Sequence, residues 1–141
     1  MKGRVWLWGI TAIFLLAVSA IADDQANSII NCDIQKGPCS QMMGQSKISL
    51  DISPKPVKAM QDLTFRVTVD GPVKISSQPH IDLGMPAMKM GPNKVLLEDL
   101  GGGVFEGHGV IVRCKSGKRT WQAEIKIPGL GEAKFIFDVI Y

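Results

Sequence analysis

From Lys47 onward, apolar and polar residues alternate with a period of two, the spacing of a strand that buries one face and wets the other. Ile48, Leu50 and Ile52 alternate with Ser49, Asp51 and Ser53, until Pro54 and Pro56 end the run because proline cannot donate to a ladder. Leu63, Phe65, Val67 and Val69 repeat the pattern as far as the turn Asp70-Gly71-Pro72. Val73 and Ile75, then Ile81 and Leu83, then Lys94 to Leu97 read as short extended pieces. Val104 to Arg113 reads as a long strand whose interior Gly107 and Gly109 imply a bulge or a close backbone approach. After the Ser116-Gly117-Lys118 turn, Trp121, Ala123, Ile125 and Ile127 alternate with polar residues. Phe135, Phe137, Val139 and Tyr141 form a last strand.

No window beyond the N-terminus carries a 3.6-residue apolar stripe. Strands at intervals of about ten residues with Gly/Pro turns imply an all-β fold. The expected architecture is an immunoglobulin-like β-sandwich of about seven strands over residues 46–141.

The first 22 residues have a different character. Lys2 and Arg4 precede an apolar run from Val5 to Val18, and Ala20 and Ala22 fit a signal-peptidase site before Asp23. Val18 and Ala20 offer a second cleavage register. Val5 to Ala22 spans 18 residues, the short end of the roughly 17–25 that cross a bilayer, so a retained membrane anchor is the alternative. Both readings put the domain outside the cytoplasm, in a periplasmic or equivalent compartment. Removing Lys2 and Arg4 leaves 14 of the 16 basic residues against 13 acidic ones, a net charge of about +1. With no basic stripe interleaved with aromatics, the sequence lacks the footprint of a nucleic-acid binder.

Residues 23–45 read as a polar lead-in containing Cys32 and Cys39. These two, with Cys114, are the disulfide candidates: three pairings are open, each leaving one thiol free, and outside the cytoplasm a bridge persists. Cys114, between Arg113 and Lys115, reads as a bridge partner ahead of a reactive thiol, although positive neighbours lower a thiol pKa.

The most unusual segment runs from His80 to Gly91. Met85, Met88 and Met90 give an M-x-x-M-x-M spacing, and thioethers are soft ligands that select Cu(I). Imidazole also suits copper, which makes His80 and His108 candidate co-ligands. The competing structural reading is that the methionines plug a gap in the core. The chain lacks G-x-S-x-G, H-E-x-x-H and a phosphate-binding glycine loop, and no paired carboxylates or small-molecule site are evident, so the expectation is a non-enzymatic module.

Met85-Pro86-Ala87-Met88-Lys89-Met90, with Gly103-Val104-Phe105-Glu106-Gly107 and Gly117 followed by Trp121-Gln122-Ala123-Glu124-Ile125, resembles the YtkA-like domain. That family is similar in appearance to FixH-like proteins tied to the assembly of copper-containing respiratory oxidases. The resemblance covers residues 46–141 and implies an exported or membrane-tethered immunoglobulin-like sandwich with a metal-handling or oxidase-assembly role, with Met85, Met88 and Met90 matching the methionine loop. Two other readings stand beside it: a metal-free interaction domain attached to a membrane complex, and a thiol-redox protein using Cys39 or Cys114.

Overall fold

The computed structural model describes residues 30–141; the expected signal peptide or anchor at 1–22 and the start of the lead-in lie outside the described residues. The described chain is all-β, with no helix. Its strands are β1 (Cys39–Met43), β2 (Ser46–Ser53), β3 (Asp62–Asp70), β4 (His80–Gly84), β5 (Lys94–Leu96), β6 (Glu98–Gly101), β7 (Val104–Val110), β8 (Thr120–Ile127) and β9 (Gly131–Asp138). They form two antiparallel sheets, ordered β1-β2-β3-β7-β6 and β5-β4-β8-β9. With β1 set aside as an added edge, this is the ABED and C′CFG arrangement of an immunoglobulin-like sandwich.

The alternation read from the sequence is the burial pattern observed. Ile48, Leu50, Ile52, Leu63, Phe65, Val67 and Val69 face inward from one sheet. Ile81, Leu83, Trp121, Ala123, Ile125, Ile127, Phe135 and Phe137 face them from the other. All are buried in one cluster. Every aromatic residue of the described chain except Tyr141 is essentially inaccessible, so the largest apolar areas are spent where the two sheets meet.

Nine strands replace the expected seven among the described residues, and the differences have local causes. The lead-in is not an appendage: Cys39–Met43 pairs with β2 from Cys39↔Leu50 to Met43↔Ser46. The preceding residues cover the free edge of β9. The Asn31 and Cys32 amides both donate to the Ile136 carbonyl at 3.1 Å, and the Asn31 carboxamide accepts from the Ile136 amide at 2.8 Å. Gln41 donates to the Lys134 carbonyl at 2.6 Å. An exposed sheet edge invites pairing with other chains, and here it is capped within the molecule.

The short piece at Val73 and Ile75 is loop, held by the Ser76 amide donating to the Pro128 carbonyl. The strand expected over 104–113 stops at Val110, and the last one stops at Asp138. Gly107 and Gly109 do mark a close approach. A side chain at Gly107 would strike the Leu96 carbonyl and come within 2.7 Å of Val95 Cγ1, and one at Gly109 would lie 2.6 Å from Val95 Cγ2. The two glycines let β5 of one sheet lean on β7 of the other.

The topology sorts the connections to two ends. One end carries the turns after β1, β3, β6 and β8. The other carries residues 54–61, the methionine loop after β4, the segment 111–119 before β8 and the C-terminal residues.

Candidate functional site

The methionine loop leaves β4 at Gly84, beside Gln122 of β8. Met85 continues the inward parity of Ile81 and Leu83, so its thioether enters the core, 3 % exposed. Pro86 and Ala87 then reverse the chain. The Met88 amide donates to the Met85 carbonyl at 3.2 Å, and Ala87 has φ 56°, the positive value that the third position of a type II turn demands. Proline at the second position suits that turn; alanine at the third is unusual, because a Cβ disfavours the left-handed region. The turn brings Met88 back opposite Met85. Met88 and Met90 are half-buried and pack on the rim of the core. The loop returns through Asn93, whose carbonyl accepts from the Leu83 amide at 2.8 Å and whose side chain donates to the Val110 carbonyl at 3.1 Å.

Met85, Met88 and Met90 thus line one depression of about 310 Å³, with Gln122 and Asn93 on its walls. The thioethers are its soft donors, and the amides of Gln122 and Asn93 are hard. Asp82 also borders it, but its carboxylate is engaged by Lys126 at 3.0 Å and lies 3.7 Å from His80 Nε2. The hydrogen bond that Lys126 donates to Asp82 raises the Lys126 pKa and keeps that cation charged.

The two histidines are not brought to this depression. His80 begins β4, five residues before Met85 and on the opposite face of the strand, about 15 Å away along it. His108 projects outward from β7, between inward-facing Gly107 and Gly109, where its Nδ1 lies 3.2 Å from Thr64 Oγ1. The two rings stand on opposite outer faces of a sandwich whose sheets are themselves about 10 Å apart. A centre that contains both is excluded by the parity of the strands. Among the described residues no group of three or more His, Cys, Asp and Glu side chains is placed to hold a metal ion, so a metal site here would rest on sulfur.

The cysteines resolve into one bridge and one thiol. Cys32 and Cys39 are disulfide-bonded with Cα atoms 5.5 Å apart, and Cys114 is free. The expectation that Cys114 joins a bridge is therefore corrected: Cys32 and Cys39 are brought together by the tight loop over Val57 and β9, which leaves no partner for the third. A single thiol with no second one beside it cannot run a dithiol–disulfide cycle within the chain.

Cys114 nevertheless occupies an organised loop. Its sulfur lies 3.0 Å from Ser116 Oγ, and the hydrogen bonds from the Ser116 side chain and backbone hold the thiol pKa below the ordinary thiol value, with Lys118 adding to the effect. Tyr141 ties the loop down. Its hydroxyl donates to the Lys118 carbonyl and accepts from the Cys114 amide at 3.1 Å and from Trp121 Nε1 at 3.4 Å. Arg113 and Arg119 lie 5.4 and 6.0 Å from the centre of its ring. Nothing in the sequence announced Tyr141, because its partners come from three places in the chain; an aromatic with a polar tip beside a buried tryptophan was the available hint.

Comparison with family models, with curated proteins and with solved structures returned no match for this chain. Its fold and the geometry of the loop end are therefore what any functional reading must rest on.

Proposed function

We propose that the protein is an extracytoplasmic, non-enzymatic module that binds Cu(I) through Met85, Met88 and Met90. The observation that carries this reading is that three methionines of one loop border a single solvent-reaching depression. Thioethers need no deprotonation to coordinate and discriminate against harder ions. The likeness of the loop to that of YtkA-like domains supports the same chemistry, with delivery of copper during oxidase assembly as the role. His80 and His108 drop out of the ligand set on the geometry above.

The test is a Cu(I) titration of the reduced protein against a competing chelator, in a Cys114→Ser background so that the free thiol does not mask the site. Binding tighter than micromolar is expected, and its loss in Met85→Leu/Met88→Leu/Met90→Leu. Leucine conserves volume at these positions, so the fold persists. Micromolar or weaker binding, or binding unchanged by the triple variant, would end the copper reading.

A second reading, a metal-free interaction domain attached to a membrane complex, is favoured by the burial of Met85, which packs as a core residue. It expects no Cu(I) binding and a triple variant that behaves like the parent.

A further inference from the structure

At the loop end, beside the methionine depression, three extended segments lie side by side. Lys58 forms a bridge with Ile140, and the Ala59 amide donates to the Ile140 carbonyl at 2.9 Å. The Met60 amide donates to the Ile111 carbonyl at 2.8 Å. Their inward residues Val57, Ile111 and Val139 are buried, which fixes the segments on the core. Their outward apolar residues have no cover: Met60 is 67 % exposed, Val112 40 % and Ile140 39 %. The other large exposed hydrophobics among the described residues sit elsewhere, at Ile30, on β1 and on β5 and β6.

Around these three stand Lys58, Arg113, Lys115, Lys118 and Arg119. Among the described residues none of the five forms an ion pair. Residues 54–60, 111–119 and 139–141 contain no Asp or Glu. Of the flanking acids, Asp138 accepts a 2.7 Å hydrogen bond from Thr120, and Asp62 begins β3. The tether of Tyr141 to Cys114, Lys118 and Trp121 holds the basic segment against the body of the domain.

We propose that this end docks on a membrane surface rich in anionic phospholipid, with Met60, Val112 and Ile140 entering the interface and the five cations lying at the level of the phosphates. A bilayer surface is negatively charged outside and apolar just beneath, and exposed apolar side chains ringed by Lys and Arg match that gradient. The long stems of Lys and Arg keep their charges in the headgroup layer while the smaller apolar side chains go deeper. A protein partner is the poorer fit: interface cores are depleted in lysine and built around large aromatic anchors, whereas this surface offers three cationic lysines and small apolar tips. A leader that takes the chain to a membrane places the domain where such a surface exists.

The test uses the chain from Asp23 to Tyr141, which contains the whole core and lacks the apolar leader. It is mixed with vesicles of neutral phospholipid alone and of neutral phospholipid with about 30 % anionic phospholipid, and binding is read by co-sedimentation. Binding to the anionic vesicles alone is expected, falling as salt rises. Arg113→Gln/Lys115→Gln/Lys118→Gln removes three exposed charges and is expected to weaken partition about 100-fold. Met60→Asn/Val112→Ser is expected to weaken it about tenfold with the salt dependence kept; asparagine is chosen because Met60 has φ 59°. Unchanged circular dichroism and melting of both variants shows that they fold. No preference for anionic vesicles, or binding indifferent to the charge variant, overturns the proposal. So does retention on poly-glutamate without vesicle binding, which would assign the surface to an acidic protein partner. Cu(I) plays no part in these measurements.

Discussion

The two ends of the sandwich are built on different principles. Among the described residues eight glycines have positive φ, and seven of them, at positions 44, 71, 101, 102, 103, 129 and 131, sit at the end that carries the turns after β1, β3, β6 and β8. The other end has a single such glycine, Gly117, and both of the non-glycine residues with positive φ, Met60 and Ala87. Where the chain only has to turn, it uses the residue that adopts the left-handed region without a Cβ clash. Where it presents thioethers, a thiol and unpaired cations, it places side-chain-bearing residues in that same region. Backbone strain of this kind persists only where the surroundings enforce it, and it concentrates at sites of function. The contrast marks the methionine and basic end as the candidate working end by a criterion independent of the side-chain chemistry found there.

The contrast breaks most visibly at Gly129. An added Cβ there would run into the Lys74 carbonyl at φ 95°, and the clash is with backbone that cannot swing away. Gly129→Ala is therefore expected to cost about 3 kcal/mol or more, or to prevent folding, in urea or thermal unfolding. Ala87→Gly at the working end is the matching change in the opposite direction. It relieves a left-handed alanine at the cost of a more flexible unfolded chain, and is expected to leave stability within about 1 kcal/mol of the parent. If Gly129→Ala were tolerated as easily as Ala87→Gly, the glycine end would not be the tightly fitted one.

Tyr141 supplies a smaller effect that sharpens the comparison, because it holds the loop at that end in place from the segment after the last strand. Tyr141→Phe keeps the ring near Arg113 and Arg119 but removes the hydroxyl shared by Lys118, Cys114 and Trp121. The Trp121 indole N–H and the Cys114 amide lose their acceptor, a loss of about 2 kcal/mol in unfolding free energy. Hydrogen exchange is expected to rise in residues 111–119 and to stay unchanged in the turns at the glycine end. A uniform increase would mean that Tyr141 supports the whole fold and not that loop alone.

What the sequence made legible follows the same division. Strands β2, β3, β8 and β9 each bury one face and wet the other, so their alternation was plain. The β6 strand is exposed along its whole length and carries no pattern to read. In β1, Met42 is exposed, which disguises a strand as a polar lead-in. Val73 and Ile75 carry a strand-like pair without a neighbour to pair with. At the working end the methionine spacing was conspicuous, and strand parity sends Met85 inward, but the placement of Met88 and Met90 depends on a positive φ at Ala87 that no propensity rule anticipates. His80 and His108 looked equally eligible as ligands because distance across a sandwich is invisible in one dimension. The basic and apolar cluster is assembled from three segments separated by 50 and 19 residues, so scanning for a contiguous charged stripe could not find it.

The slightest perturbation tests whether the working end tunes chemistry as well as shape. Cys114 is held below the ordinary thiol pKa, first by the Ser116 side chain, then by its backbone, then by the Lys118 charge. A depressed folded pKa means that thiolate forms at lower pH in the folded protein than in the unfolded one. Its small contribution to stability is present above the unfolded thiol pKa and is lost as pH falls through the folded value. The alkylation rate of the native protein by iodoacetamide is therefore expected to rise with pH at a lower midpoint than that of the urea-unfolded chain. Ser116→Ala removes the first cause and should move the midpoint upward with melting unaffected, since the serine is exposed. Lys118→Gln, removing a weaker cause, should move it less. If Ser116→Ala left the midpoint where it was, the hydroxyl would not be the donor that stabilises the thiolate, and the order of the two effects would have to be reversed.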